Sequence, residues 1–470
     1  MSNKIYPQGL ISQDVMKKYD VSGPRYTSYP TALQFSSSFK ANNYRQIVTQ
    51  SNYTDSTKPL SLYIHIPFCE SLCYYCGCHK VITKNKKRSE IYLHALQKEI
   101  ALQGKLFNKN REVRQVHLGG GTPTFLTAHQ IRSLIECIKD NFVLAPLSQC
   151  EIGIEIDPRT TNSADISSLA EIGFNRMSFG IQDFDEQVQI AINRIQSKEQ
   201  TLQLLQAVRA SKVESLSVDL IYGLPKQNIV GFKDTLTTMI EARPDRIALY
   251  NYAHMPSLIK SQKLIKDEHL LSAEEKLALL KLSVESLVEA GYCHIGMDHF
   301  ALPKDPLSIS LESGTLHRNF QGYSTNGDCD VIGLGVSAIS KINGAFAQNH
   351  KSLPDYQNAI SHHELATQRG YLLSEDDKIR ADIIQHLMCS HILNFNDLGA
   401  QYKINFKEYF NHELIKLEAM GNDGLITIDQ DTIKITDRGR LLLRNIAMVF
   451  DKYLRSNTSS LNTIKYSKVL

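Results

Sequence analysis

Six short apolar runs, separated by stretches of helical character, limit what this chain can fold into. They are SLYIHI (61–66), VRQVHL (113–118), IGIEI (152–156), RMSFGI (176–181), SLSVDLIYGL (215–224) and RIALYNY (246–252). Between them lie stretches such as SEIYLHALQKEIALQ and AHQIRSLIECIKD. Strands spaced by helices are the repeat of parallel βαβ units. A parallel sheet is covered on both faces, which accounts for strands richer in apolar residues than simple alternation requires. The order predicts an α/β fold built as a partial or full barrel, with its chemistry beyond the C-terminal ends of the strands.

The flanks read differently. Residues 1–55 are polar and turn-rich, and VSGPRYTSYPTALQF has neither a helical nor a strand period, so an arm or strap is expected. PRYTSYP (24–30) is too aromatic for an idle tail and is expected to bear on turnover more than on folding of the barrel. After residue 260, LSAEEKLALLKLSVESLVEAGY is helical, and 311–345 reads as a loop region. From about 360 to 450 helices surround one hairpin, GLITIDQDTIKITDRG, and end in a helix LLLRNIAMVFDKYL. The expected division is an arm (1–55), a barrel with its extension (56–350) and a mostly helical, winged-helix-like C-terminal domain (351–470).

Lys plus Arg exceed Asp plus Glu by three, 52 against 49, so charge gives no reason to propose a nucleic-acid partner. MSNKIYPQGL lacks the apolar core of a signal peptide, and no stretch has the roughly 18–20 apolar residues of a membrane span. An odd count of nine cysteines, four of them clustered, argues against a secreted disulfide scaffold and for a reducing cytoplasm.

Those four lie in CESLCYYCGCHK (69–80), directly after the first strand: Cys69, Cys73 and Cys76 are spaced C-x3-C-x2-C, and Cys78 follows Gly77. Zinc would require this one short loop to wrap a tetrahedron, where structural sites normally join two separated half-sites. A closed iron–sulfur cluster would need a fourth, remote cysteine, and none here is followed by proline. Three thiolates on a cubane leave one iron open to chelation by an amino acid. Cys137, Cys150, Cys293, Cys329 and Cys389 have no cluster spacing.

HLGGGTPTFL (117–126) places Gly119, Gly120 and Gly121 after the second strand, removing side chains where backbone must approach closely. No G-K-[ST] follows, so it is not a phosphate loop. IEIDPR carries Glu155 and Asp157 on one strand face, which in a buried strand is costly without partners. Either a helix cap or core arginine satisfies Glu155, or a cofactor does. Gln182 after the fourth strand, Arg194 beyond it and Asp219 in the fifth add polar groups at successive strand ends.

C-x3-C-x2-C after a first barrel strand, with Tyr75 before the last cysteine, resembles the signature of the radical S-adenosylmethionine superfamily. LYIHIPFCESLCYYCGCHK, HLGGGTPTFL, IEIDPR, GFNRMSFGIQDF, SVDLIYGLPKQ, YNYAHMP, GYCHIGMDHFALP, GYSTNGDCDVIGLGVSAIS and PRYTSYP together resemble the oxygen-independent coproporphyrinogen III oxidase family, over essentially the whole chain. The resemblance implies a partial (β/α)6-type radical SAM barrel that turns two propionates of coproporphyrinogen III into vinyl groups, giving protoporphyrinogen IX. It implies one [4Fe–4S] cluster on Cys69, Cys73 and Cys76, and two S-adenosylmethionine molecules. The first contacts Tyr63, Gly119, Gly120, Gly121, Glu155, Gln182, Arg194 and Asp219; Gly120, Thr122, Ala253 and Ile339 match the second.

In the family's chemistry, reductive cleavage of S-adenosylmethionine yields a 5′-deoxyadenosyl radical that takes hydrogen from a propionate β-carbon. Carbon dioxide and one electron then leave. An electron donor and an acceptor are implied without being identified, and a monomer is expected. Cys78 is not a ligand in this picture. It is either a small buried hydrophobe or an active-site group. A substrate with four carboxylates calls for fixed cations, and Arg25 in the arm is a candidate. Two rivals remain at this point. One is a haem-binding chaperone on the same scaffold, against which Cys78 and PRYTSYP speak; the other is a nucleic-acid binder using the C-terminal module, which lacks a basic stripe.

Overall fold

The computed structural model describes residues 13–456 and 466–468; the N-terminal decapeptide discussed above lies outside them. The six apolar runs form the strands β1 (Leu60–Ile66), β2 (Val113–Gly120), β3 (Glu151–Ile156), β4 (Arg176–Gln182), β5 (Ser215–Tyr222) and β6 (Arg246–Asn251). They pair in parallel and in sequence order, so each crossover lands one strand along. Helices Lys87–Gly104, Ala128–Asn141, Ser163–Ile172, Lys198–Ala210 and Ile229–Ala242 make the crossovers. Their starts are chemically marked. Thr127 accepts from the Gln130 N–H while Gln130 returns a bond to Thr127, and Asn162 with Asp165 repeats that capping box.

β1 and β6 do not pair with each other, so the barrel is open, and both of its edges are extended. Beyond β6 run β7 (Cys293–Gly296) and β8 (His299–Ala301), both antiparallel, with β8 next to β6. Two strands, β9 (His317–Asn319) and β10 (Gly322–Ser324), form a separate hairpin. β11 (Asp330–Leu334) pairs in parallel with β1, Leu60 opposite Asp330, and β12 (Ile339–Ile342), β13 (Ala345–Asn349) and β14 (Thr367–Leu372) follow antiparallel. The sheet therefore has twelve strands. The stretch 311–345, expected as loop, instead carries β9 to β12. The buried run DVIGL gains its backbone partners from β1, far away in the chain, and no local pattern announces that.

Buried positions exceed simple alternation, as at 216–218 and 246–249, yet the two faces differ. Leu62, Ile64, Leu118, Ile154, Met177, Phe179, Val218 and Leu220 lie under the helices, each no more than 1% exposed. Their neighbours Tyr63, Glu155, Ser178, Asp219 and Tyr250 are half-buried on the opposite, concave face. At the floor of that face, Arg176 is 2.8 Å from Glu151 and Arg246 is 2.8 Å from Asp305.

A second core joins the C-terminal helices to the arm and to β7 and β8. It contains the buried Tyr19, Tyr26 and Tyr29, and Tyr26 donates to Asp451 at 3.0 Å. The arm is thus a strap that helps build this second core. Within it, Ala41–Thr54 is a helix anchored by Tyr44 and Val48. The hairpin is β16 (Ile426–Ile428) with β17 (Thr432–Ile435), and β15 (Ile392–Asn394) completes a three-stranded antiparallel sheet. The terminal helix is split into Leu443–Met448 and Lys452–Ser456, because Asp451 turns to take Tyr26 and the Tyr453 N–H. Among the described residues no helix is long and apolar enough to cross a membrane.

Candidate active site

The loop after β1 is pinned at its base, where Phe68–Cys69 pairs with Val81–Ile82. Its outer turns are held by the chain beyond β4 and β6. Tyr74 N–H donates to Ile192 O at 2.9 Å, Asn193 donates to Leu72 O at 2.8 Å, and Gln262 donates to Tyr75 O at 2.9 Å. At Gly77 the loop packs on Ile259, whose Cδ1 would stand 2.9 Å from an added Cβ. A cavity of about 250 Å3 results, at the C-terminal ends of the strands. Cys69, Cys73, Cys76 and Cys78 all face it, with Gly120, Gly121, Thr122, Glu155, Gln182, Arg194 and Asp219.

Each sulfur has its own surroundings. Thr122 Oγ1 donates to Cys69 at 3.5 Å, and Cys73 receives Arg159 at 3.5 Å and Arg194 at 3.6 Å. The Cys76 thiol is drawn down to about 6, chiefly by its hydrogen bond with Cys78, while burial pushes Cys69 up to about 11. No three His, Cys, Asp or Glu side chains among the described residues converge as a single metal ion would need. A cubane makes no such demand, since each thiolate binds a different iron. Three thiols on one loop facing one cavity fit it. Cys78 is exposed to the cavity, so its reading as a small buried hydrophobe does not hold.

Glu155 uses neither a helix cap nor an arginine. Its carboxylate accepts from Gly120 N–H at 3.1 Å and lies 3.3 Å from His117 Nε2, and 44% of the side chain fronts the cavity. Burial alone would raise its pKa, but His117 and the Gly120 N–H outweigh burial and hold it below the usual carboxylate range. The glycines are required here for space: a Cβ on Gly119 would fall 2.7 Å from Glu155, and Gly120, at φ +114°, would drive one to 2.5 Å from the His65 ring.

Asp157 is also opposed by burial, yet Arg194 and a bidentate Arg159 hold it at about 2. Among the described residues Arg194 Nε has no partner, leaving a buried donor available. Gln182 reaches the cavity because β4 bulges between Gly180 and Gln182, with Gln182 at φ +68°. Asp219 has no hydrogen-bond partner among the described residues; burial and then Glu155 push it up to about 7.

Five expected residues lie off this cavity. Tyr63 stacks on His117 at 6.2 Å and lines a neighbouring cavity together with Ile339. Ala253 is tied to the cysteine loop through Gln262, which donates to both Ala253 O and Tyr75 O at 2.9 Å. Gly119 backs Glu155. Arg25 is paired with Asp298 at 2.7 Å, behind the ring of Tyr250, which itself faces the cavity. Arg159 and Tyr250 went unnoticed in the sequence reading; Arg159, two residues after Asp157, offered only its charge as a signal.

Residues 63–239 match the model of the Radical SAM superfamily and 373–442 that of the HemN C-terminal domain. An oxygen-independent coproporphyrinogen III oxidase from Pseudomonas aeruginosa is 45% identical over 457 residues, 97% of this chain and 98% of its own. Its namesake from Escherichia coli is 45% identical over 441 residues, 94% and 95% of the two chains. The solved structure of Escherichia coli coproporphyrinogen III oxidase (HemN), described as a radical SAM enzyme, matches with a TM-score of 0.89 at 43% identity, over 95% of this chain and 100% of that one. Likeness of this extent runs through the barrel into the C-terminal module instead of stopping at the shared scaffold, and it makes this chain a member of the oxygen-independent coproporphyrinogen III oxidase family of radical SAM enzymes.

Proposed function

We propose that this protein oxidatively decarboxylates two propionates of coproporphyrinogen III to vinyl groups, giving protoporphyrinogen IX. The observation that carries the reading is one cavity in which three spaced cysteines meet the polar ends of β2 to β5. Cys69, Cys73 and Cys76 would hold a [4Fe–4S] cluster, leaving Cys78 beside its open side. When bound, the cluster supplies an electron that cleaves S-adenosylmethionine, whose adenosyl fragment takes hydrogen from a propionate β-carbon.

The chain's own part is binding and exclusion. Glu155, kept ionised, would accept from the cofactor's amino group, and the open Nε of Arg194 would be a donor for its carboxylate. Gln182 and Asp219 address its ribose end, with Tyr63, Gly119, Gly120 and Gly121 completing the first S-adenosylmethionine site. A second molecule is assigned to Gly120, Thr122, Ala253 and Ile339; its support is that Ile339 lines the cavity adjoining Gly120. Closing these cavities keeps water and stray hydrogen donors from the radical.

The reading includes a monomer in a reducing cytoplasm, an external electron donor and acceptor, and no nucleic-acid partner. It also includes the division into arm (1–55), catalytic unit (56–350) and C-terminal module (351–470). The test is an anaerobic assay with coproporphyrinogen III, S-adenosylmethionine, a reductant and cell extract. Mass analysis should show two successive losses, each of carbon dioxide and two hydrogens. Haem binding without either loss, while S-adenosylmethionine is cleaved, would overturn the reading.

A further inference from the structure

Beyond the cysteine cavity the concave face continues. Behind the His65 ring, which packs against Gly120, lies a cavity of about 200 Å3 lined by Tyr63, Phe320 and Ile339. A third, of about 290 Å3, opens between Tyr26–Tyr29 of the arm, β9 and helix Glu375–Cys389. Asn319 and Lys341 line both. They stand at the junction between the chamber nearest the reacting site and the one farthest from it.

Lys341 lies on β12 between the buried Ser340 and Ile342, so it projects to the open face. Among the described residues no carboxylate pairs with it. Asp330, its neighbour in charge, is taken by Arg111 at 2.6 Å and Lys58 at 2.8 Å. Asp382 faces the third cavity but accepts from Gln401 at 3.0 Å and Tyr402 at 3.2 Å. Lys378, on the same wall, is neutralised by Glu375 at 2.6 Å. The second lone cation is Arg318, which lines the third cavity, is only 6% exposed, and has an Nη1 without a hydrogen-bond partner. Its guanidinium sits over the Tyr323 ring at 4.8 Å and its Nε reaches only the Arg25 carbonyl. Arg25, Arg176 and Arg246, its cationic neighbours, each have an acid of their own.

The third cavity thus presents two cations, the exposed Lys341 and the buried Arg318, against the single unneutralised carboxylate of Asp382, and the open Nη1 of Arg318 is a buried donor that is costly without an acceptor. We propose that Lys341 and Arg318 form a carboxylate-anchoring subsite that grips a propionate arm of the substrate remote from the one undergoing reaction. This rests on the coproporphyrinogen reading above. It gives the tetracarboxylate a fixed far end, so that after the first decarboxylation the ring must turn or shift to present its second propionate.

The test is fluorescence titration of coproporphyrin III, the oxidised tetracarboxylate, into the anaerobically purified full chain. Lys341→Met and Arg318→Gln should each raise Kd about tenfold or more, the scale of one lost charge-assisted contact. Lys341→Arg should restore binding to within about threefold, since the charge is kept. Iron content and circular dichroism report folding. Should both charge-removing variants misfold, the wild-type protein decides alone: the tetra-amide of coproporphyrin III should bind about tenfold or more weakly than the acid. Equal binding of acid and amide, or folded variants with wild-type affinity, would overturn the anchor while leaving the reaction standing if the wild type converts substrate. Loss of S-adenosylmethionine affinity with porphyrin affinity intact would give the cations to the cofactor's carboxylate and also overturn it. A wild type that neither binds nor converts the substrate would take the functional reading down, and this subsite with it.

Discussion

The two faces of the same six strands were built to opposite rules, although the residues concerned are adjacent in sequence. Ile154 and Ile156 point under the helices and are at most 3% exposed; Glu155, between them, keeps a carboxylate on the concave side. Each fully buried apolar side chain contributes about 1.5–3 kcal/mol, so the outer face accounts for the fold. The inner face spends part of that stability on an Asp219 without a hydrogen-bond partner among the described residues, a strained Gln182 and an Arg194 whose Nε is left open. Groups that weaken a fold and gather in one cavity are there for a ligand. Because side chains alternate with period two, slipping any of these strands by one residue would exchange the two faces.

The sharpest way to break this contrast is to remove a proposed cluster ligand without touching the outer face. Cys73→Ser should leave the barrel folded, yet cost the protein its iron and bring propionate conversion below detection. Iron analysis and circular dichroism on the same sample check both halves. Retained stoichiometric iron would make Cys73 no ligand, and unfolding would show that the loop supports the sheet.

On the outer face the effect should be the reverse. Ile154→Ala should lower stability by about 2–5 kcal/mol in denaturant titration, as a cavity opens in a packed core, with iron per folded protein unchanged. Its neighbour Glu155→Gln should keep stability to within about 1 kcal/mol and weaken S-adenosylmethionine binding by about 10- to 100-fold, from loss of a charged acceptor. If both variants lost stability alike, the two faces would share one role.

What could be read in advance follows the same division. The strands were legible because each is a run whose length and company mark it, and the site because cysteine spacing and acids in apolar strands are anomalies. The missing edge was not legible, since β11 joins β1 only through pairing across most of the chain. Helix Ala41–Thr54 was hidden by its polarity: only Tyr44, Val48 and Ser51 are buried, on one narrow stripe. The break at Asp451 depends on Tyr26, at the other end of the sequence. Arg159, Arg318 and Lys341 carry no anomaly of sequence at all; what marks them is which partners surround them after folding.

Asp219 gives the smallest effect and the finest test. Burial first, and Glu155 second, raise its pKa to about 7. The folded protein therefore keeps a proton on Asp219 that the unfolded chain gives up near pH 4. Stability from this group is fully present below that pH and is lost as pH rises through about 7, because the carboxylate must then ionise without a partner. Asp219→Asn removes that cost. In protein without cofactor it should raise stability at pH 8 by about 1 kcal/mol, less than the full shift implies because the cavity admits solvent. Below pH 4 the gain should vanish. The same substitution should weaken S-adenosylmethionine binding at pH 8, where the ionised carboxylate is the better acceptor. Thermal unfolding of wild type and variant at the two pH values, with binding measured alongside, separates the effects. A gain independent of pH would show that Asp219 does not titrate there, and a gain in stability with undiminished binding would leave its retention on the inner face without a ligand to explain it.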